Sequence, residues 1–245
     1  TETVRRLGEA LGKTDALIVC HGAPTVTEDV LAGASRLRFI GELEGDRFAS
    51  RMDLDAAWAR GIRTVDTTNA SSYPVSEWAL ALILVSLRNG GTHFRQLIAG
   101  DTGMKQGLFP TMQGELWGKR VGLIGCGHMG RRLMEFLRPF QTEIFVYDPY
   151  LPRELPEALG FTQTSLENVL SGCDVVVCLA PHTPKTEKML GAAEFALLRP
   201  GAVFVSVSRG KVVDSDALIA RLKQGDICVG LDVFDPEPIP PESEL

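Results

Sequence analysis

The sequence predicts an α/β protein of two doubly wound parallel-sheet domains, and three features predict it. Short apolar runs that read as strands alternate with helical segments along nearly all of the 245 residues. The alternation falls into two blocks, separated by one long and almost wholly apolar helical stretch. The second block opens on glycines at 125, 127 and 130, set between a strand and a helix. Parallel strands need right-handed crossovers, and helices between consecutive strands supply them.

In the first block, Thr1–Gly12 has helical period and Asp15–Cys20 (DALIVC) reads as a strand. Thr27 is placed to cap a helix running through Ala34, and Leu37–Gly41 is the next strand. Leu54–Arg60 follows as a short helix stopped at Gly61, then Ile62–Asp66 as a strand. Pro74 stands in the first turn of the apolar helix PVSEWALALILVSLRN, where its missing N–H costs nothing. A helix apolar nearly all round must be covered on several sides, either as a spine between domains or as part of a subunit interface. Gly100–Trp117 is less regular and long for a loop, as expected of an arm that reaches a neighbour or crosses between domains.

The second block runs as strand Val121–Ile124, strand Glu143–Tyr147, a helix over 165–171 and strand Asp174–Ala180. The loop PHTPKT, a short helix near Ala192–Leu198 and the strand Ala202–Val207 come next. Asp214 caps a helix ending at Gly225, and Ile227–Val233 is the last strand. The expected domains are therefore 1–71 and 72–245.

The stretch KRVGLIGCGHMG places Gly125, Gly127 and Gly130 in G-x-G-x-x-G register after an apolar strand. The first glycine permits a tight turn, the second lets backbone approach a pyrophosphate, and the third allows close helix–strand packing. The pyrophosphate would lie on the N–H groups of the helix N-terminus. Asp148, at the end of the next strand, can accept from both hydroxyls of an unmodified ribose and would repel a 2′-phosphate. The expected cofactor is accordingly NAD rather than NADP.

Composition narrows the alternatives. A net charge of −6 without a basic run argues against a nucleic-acid partner. The longest apolar run is too short to span a bilayer and nothing at Thr1 resembles a signal peptide, so the expected location is cytoplasmic, with no membrane partner. The five cysteines lack CxxC spacing, and neither disulfides nor a metal site is expected. Cys20, Cys178 and Cys228 read as small buried residues of strands, and Cys126 as an inert thiol inside the glycine turn that solvent could reach.

Ligands of such sheets bind beyond the carboxyl ends of the strands. The loops 180–185, 208–211 and 232–237 should line that edge and bring Arg209, Asp232 and Glu237 together. Arginine there can hold a carboxylate in a bidentate fork and polarise the adjacent carbonyl. Aspartate can accept from a nicotinamide carboxamide, and glutamate can orient a histidine and raise its pKa. The alternative, that Arg209 is a surface charge and Glu237 a solvated turn residue, is left open by the pattern alone.

The segments GKRVGLIGCGHMGRRL, VYDPY, LAPHTPKTEKML, LRPGAVFVSVSRGKVVDSDALIARLKQGDI and GLDVFDPEP resemble the NAD-binding domain of the D-isomer-specific 2-hydroxyacid dehydrogenases, a family that includes phosphoglycerate dehydrogenase and hydroxypyruvate reductase. DALIV, DLDAAWARGIRTVDTT and PVSEWALALIL extend the resemblance over nearly the whole chain. It implies a flavodoxin-like substrate domain and a Rossmann NAD-binding domain. Gly125, Gly127, His128, Met129 and Gly130 would hold the pyrophosphate turn and Asp148 the ribose. Pro181 and Thr186 would shape the pocket wall, Ser208 and Arg209 would lie beside the nicotinamide, and Asp232 would face its carboxamide. Arg209 would also bind the substrate carboxylate and carbonyl, with Glu237 the partner of a catalytic histidine. The implied reaction is hydride transfer between NAD and C2 of a 2-hydroxy or 2-oxo acid, and the implied assembly is a homodimer.

Two departures accompany the resemblance. The family's catalytic histidine lies farther along than Leu245, and the pattern begins before Thr1, so the expectation is a portion of a longer chain. The substrate loop reads IGELEGDRFASRMD, longer than the family pattern, and brings Arg47 and Arg51 as candidate contacts for a distal anionic group of the substrate. An NAD(H)-sensing, co-repressor-like binding protein is the rival reading; the Arg209–Glu237 pair favours the enzyme.

Overall fold

The computed structural model describes residues 2–20, 22–43, 51–67, 69–100 and 114–245. The chain divides into two compact units, Thr1–Tyr73 and Pro74–Leu245.

In the first unit α1 (Glu2–Leu11), β1 (Ala16–Val19), α2 (Glu28–Ala32), β2 (Phe39–Glu42), α3 (Leu54–Ala59) and β3 (Arg63–Asp66) follow one another. The strands form a parallel sheet in the order β1-β2-β3. Leu11, Val30, Leu31, Ile40, Ala57 and Ile62 fill the core beneath it. Gly33 lets α2 lie close to α1, because a Cβ there would stand 2.9 Å from Gly8 O. Asp53 caps α3 by accepting from Ala56 N at 2.9 Å. Thr27 occupies the N-cap position of α2, but its hydroxyl makes no capping bond. Cys20 follows β1 and is exposed, contrary to the buried position that its apolar neighbours suggested.

The second unit contains most of α4 (Ser72–Leu87), then α5 (Gly90–Ile98), β4 (Arg120–Ile124), α6 (His128–Leu137), β5 (Glu143–Tyr147), α7 (Leu155–Leu159), β6 (Thr162–Gln163), α8 (Leu166–Gly172), β7 (Val175–Cys178), α9 (Ala192–Ala196), β8 (Val203–Ser206), α10 (Ser215–Leu222) and β9 (Cys228–Leu231). All six strands are parallel in the order β6-β5-β4-β7-β8-β9. Counted from β4 this is the 3-2-1-4-5-6 order of a Rossmann sheet, reversing between β4 and β7. Both faces are covered, which is why β7 and β8 read as unbroken apolar runs. Val175, Val177, Val203 and Val205 pack on one face with Ala79, Ile83 and Leu133. Val176, Cys178 and Phe204 pack on the other with Val169, Phe195 and Leu218.

Small residues set the helix distances. A Cβ on Gly122 would lie 2.6 Å from Val169 Cγ1, so glycine in β4 lets α8 sit on the sheet. Likewise Gly230 in β9 would meet Leu82 Cβ at 2.9 Å, which brings α4 onto that strand. Ser76 is buried in α4 and donates to Met129 O at 3.0 Å, tying α4 to the first turn of α6. The outer side of the helix leaves Trp78 and Val85 exposed. No residue of α5 is buried, and Phe94, Leu97 and Ile98 are exposed.

One buried charge organises the far side of the sheet. Arg221 is 6% exposed and donates to Phe195 O and Leu198 O, each at 3.1 Å, and to the carboxylate of Asp226. The bond from Arg221 is the main cause that holds the Asp226 carboxyl below its ordinary 3.8. Arg221→Met should therefore lower stability by about 3 kcal/mol in urea unfolding, since it strands two carbonyls and a carboxylate. The Asp226 contribution is present above pH 3.8 and fades as pH falls through its depressed folded value, so the gap between wild type and variant should narrow in strong acid. A gap independent of pH would assign the loss to the carbonyls alone.

Candidate functional site

β4 delivers the chain into the glycine turn, and the three glycines differ in what surrounds them. Gly125 has φ +100°, a conformation that side chains rarely adopt, and a Cβ on it would stand 3.1 Å from Leu179 O and Ala180 N. Gly130, in the first turn of α6, would place a Cβ 2.8 Å from Gly125 O, so it lets the helix close down on the turn. Gly127 is the N-cap of α6 in ordinary extended backbone (φ −74°, ψ −154°), and nothing lies within 4 Å of its Cβ position. Packing explains the first and third, whereas the second meets nothing in the described structure that would require a glycine. His128 and Met129 follow as the first helical residues, one exposed and one half-buried.

Asp148 stands directly after β5, whose end pairs with the end of β4. Its Oδ2 accepts from Cys126 N at 2.9 Å and its Oδ1 from Tyr150 N at 3.0 Å. Each carboxylate oxygen keeps a further lone pair for a ligand hydroxyl. Gln163 Nε2 donates to Asp148 O at 3.1 Å, an anchor with no periodic signal because β6 is a two-residue edge strand. Cys126 is 2% exposed, so solvent does not reach it. Burial is the chief cause that pushes its thiol up to about 11; Asp148 adds to the rise and Arg131 opposes it. The thiol stays protonated at neutral pH.

Across the switch point, the loops after β7, β8 and β9 share the carboxyl edge. Thr186 Oγ1 donates to Pro181 O at 2.6 Å and accepts from Thr183 N at 2.8 Å, folding PHTPKT back on itself. Ser208 is buried; its hydroxyl donates to Ala180 O at 2.6 Å and accepts from Arg209 N at 2.5 Å. Arg209 is exposed, with Nη1 donating to Ser208 O at 2.8 Å. Asp232 and Glu237 are exposed as well, and among the described residues neither makes a side-chain hydrogen bond or ion pair. The edge thus gathers Arg209, Asp232 and Glu237 on neighbouring loops without joining their side chains. His182 Nε2 is buried, lies 3.9 Å from Glu187 Oε2 and makes no hydrogen bond among the described residues.

In the first unit Arg51 donates from Nη1 to Cys20 O at 3.1 Å, at the carboxyl end of β1. Arg47 lies outside the described residues, as do residues 101–113 of the predicted arm. Among the described residues no group of three or more His, Cys, Asp or Glu could hold a metal ion, and no helix is long and apolar enough to cross a membrane.

Residues 80–245 match the D-isomer specific 2-hydroxyacid dehydrogenase NAD binding domain. The chain is 33% identical over 238 residues to D-3-phosphoglycerate dehydrogenase of Methanocaldococcus jannaschii, covering 96% of this chain and 44% of that protein. It therefore spans less than half the length of that relative. Among solved structures, the TT0316 protein from Thermus thermophilus superposes with a TM-score of 0.83 at 27% identity, over 98% of this chain and 74% of that one. D-lactate dehydrogenase from Aquifex aeolicus, complexed with NAD and lactic acid, superposes with a TM-score of 0.77 at 26% identity, over 93% and 67% respectively.

Proposed function

The chain belongs to the D-isomer specific 2-hydroxyacid dehydrogenase family, and from that premise we propose that the whole protein interconverts a D-2-hydroxy acid and its 2-oxo acid with NAD. The observation that carries this reading is the glycine turn. Space at Gly127 that any Cβ would enter, above the first turn of α6 and beside the Asp148 carboxylate, fits a pyrophosphate and its ribose. When bound, NAD supplies the two-electron acceptor or donor.

The residues of the second unit then have distinct tasks. Gly125, Gly127, His128, Met129 and Gly130 hold the pyrophosphate, and Asp148 the ribose. Pro181, Thr186 and Ser208 form the wall beside the nicotinamide, and Asp232 accepts from its carboxamide. Arg209 grips the substrate carboxylate and polarises the C2 carbonyl. Glu237 orients and charges a histidine that moves the C2 hydroxyl proton. Residues 1–71 serve as substrate domain and 72–245 as NAD-binding domain, and Arg47 or Arg51 contacts a distal anionic group of the substrate. We place the protein in the cytoplasm as a homodimer, joined through the exposed apolar side chains of α4 and α5.

NADH oxidation by the purified full-length protein, with pyruvate and glyoxylate as trial substrates, tests the reaction, and sedimentation of the same sample tests the dimer. Turnover with neither acid nor any other 2-oxo acid, while NADH still binds, would replace the enzyme with a binding protein. Asp148→Ser should weaken NADH binding by about 2 kcal/mol, roughly 30-fold, and reduce the preference over NADPH. An unaltered NADH-to-NADPH ratio in fluorescence titrations would remove Asp148 from the ribose.

A further inference from the structure

The side chains of Arg209 and Glu237 are exposed, so their placement is inherited from backbone. That backbone is fastened on both sides. Ser208 Oγ holds Ala180 O at 2.6 Å, and Lys188 N donates to Lys211 O at 2.7 Å, so the loop after β8 is tied to the loop after β7. On the opposite side Gly210 lies against the Phe234–Asp235 peptide. A Cβ on Gly210 would stand 1.7 Å from Phe234 O and 2.7 Å from Asp235 N. Gly210 is not among the glycines with positive φ, so glycine is needed there for space and not for conformation. Ser215, at the start of α10, donates to Asp235 O at 3.1 Å and fastens the same peptide.

We propose that Gly210 and Ser215 are positioning residues that set the separation of Arg209 and Glu237. Gly210 directly follows Arg209, and Asp235, whose amide it meets and whose carbonyl Ser215 holds, precedes Glu237 by one proline. The inference rests on the assignment of those two side chains to the reaction. Real Cβ contacts are essentially never under 3.0 Å, so a methyl at 210 must move one loop away from the other over the interval from 1.7 Å to at least that distance. A misplacement of about 1 Å in a catalytic constellation costs on the order of 100-fold in rate. The glycine turn, on the strands before the switch point, is untouched by that shift.

The test uses Gly210→Ala, Ser215→Ala and Ser215→Thr in the full-length protein. It reads NADH affinity, kcat and KM for the best 2-oxo acid, and hydrogen exchange of residues 232–238. Gly210→Ala should lower kcat/KM about 100-fold, well beyond any loss of NADH affinity through the Asp232 contact, with faster exchange at 232–238. Ser215→Ala should lower kcat/KM by about tenfold, and Ser215→Thr, which keeps the donor, should restore it. Wild-type kcat/KM in Gly210→Ala, equal impairment of both Ser215 variants, or a parallel loss of NADH affinity would overturn the proposal. If the unaltered protein reduces no 2-oxo acid, the reaction itself is misassigned. Exchange then decides the coupling: unchanged protection at 232–238 in Gly210→Ala and Ser215→Ala would refute it.

Discussion

Arg209→Lys should lower kcat/KM for 2-oxo acid reduction about a thousandfold, or about 4 kcal/mol, with NADH affinity within about twofold of wild type. The exposed guanidinium spends one donor on Ser208 O at 2.8 Å. Its other N–H groups are available to a carboxylate and a carbonyl on one substrate. Lysine keeps the charge but replaces a planar fork with a point charge, so it cannot bind the carboxylate in two places and polarise C2 from the same group. The backbone should not move, because Arg209 N remains bound to the buried Ser208 hydroxyl. Thermal unfolding should therefore be unchanged, which separates lost chemistry from lost fold. Near-normal turnover in Arg209→Lys would remove the fork from the mechanism.

What the sequence makes legible is what depends on near neighbours. The strands of the second unit show as apolar runs because both faces of the sheet are covered, and the glycine turn shows because strand, turn and helix are contiguous. Asp148 shows because it ends a strand. Elements that lack such signals are harder to see. α5 opens on Gly90 and Gly91 after Asn89 in left-handed backbone, which reads as the end of a helix and not as the start of one. α7 carries Pro156 in a five-residue helix, and β6 has two residues. The exposed Cys20 follows an apolar strand, and alternation alone does not tell a strand's last covered residue from its first exposed one. Gly210 is the sharpest case, since the reason for a glycine there is the carbonyl of Phe234, distant in sequence. Ser215 and Ser76 likewise act on carbonyls that no local pattern brings near them.

Gly127→Ala and Gly130→Ala should fail in opposite ways, and the contrast tests whether the turn is built for a ligand. A methyl on Gly127 meets nothing within 4 Å, and its φ of −74° suits alanine. Stability should change by less than about 1 kcal/mol, the cost of alanine at an N-cap. The same methyl enters the space assigned to the pyrophosphate, and an overpacking cost of about 2–3 kcal/mol there corresponds to roughly 100-fold weaker NADH binding. Gly130 differs because its Cβ would lie 2.8 Å from Gly125 O, inside the fold itself. Its alanine variant should lose about 1–3 kcal/mol of stability whether or not NADH is present, since α6 must lift from the turn. Urea unfolding and NADH fluorescence titration on both variants give the two readouts. Wild-type NADH affinity in Gly127→Ala would place the pyrophosphate elsewhere, because a phosphate seated on the first N–H groups of α6 leaves no room for that carbon.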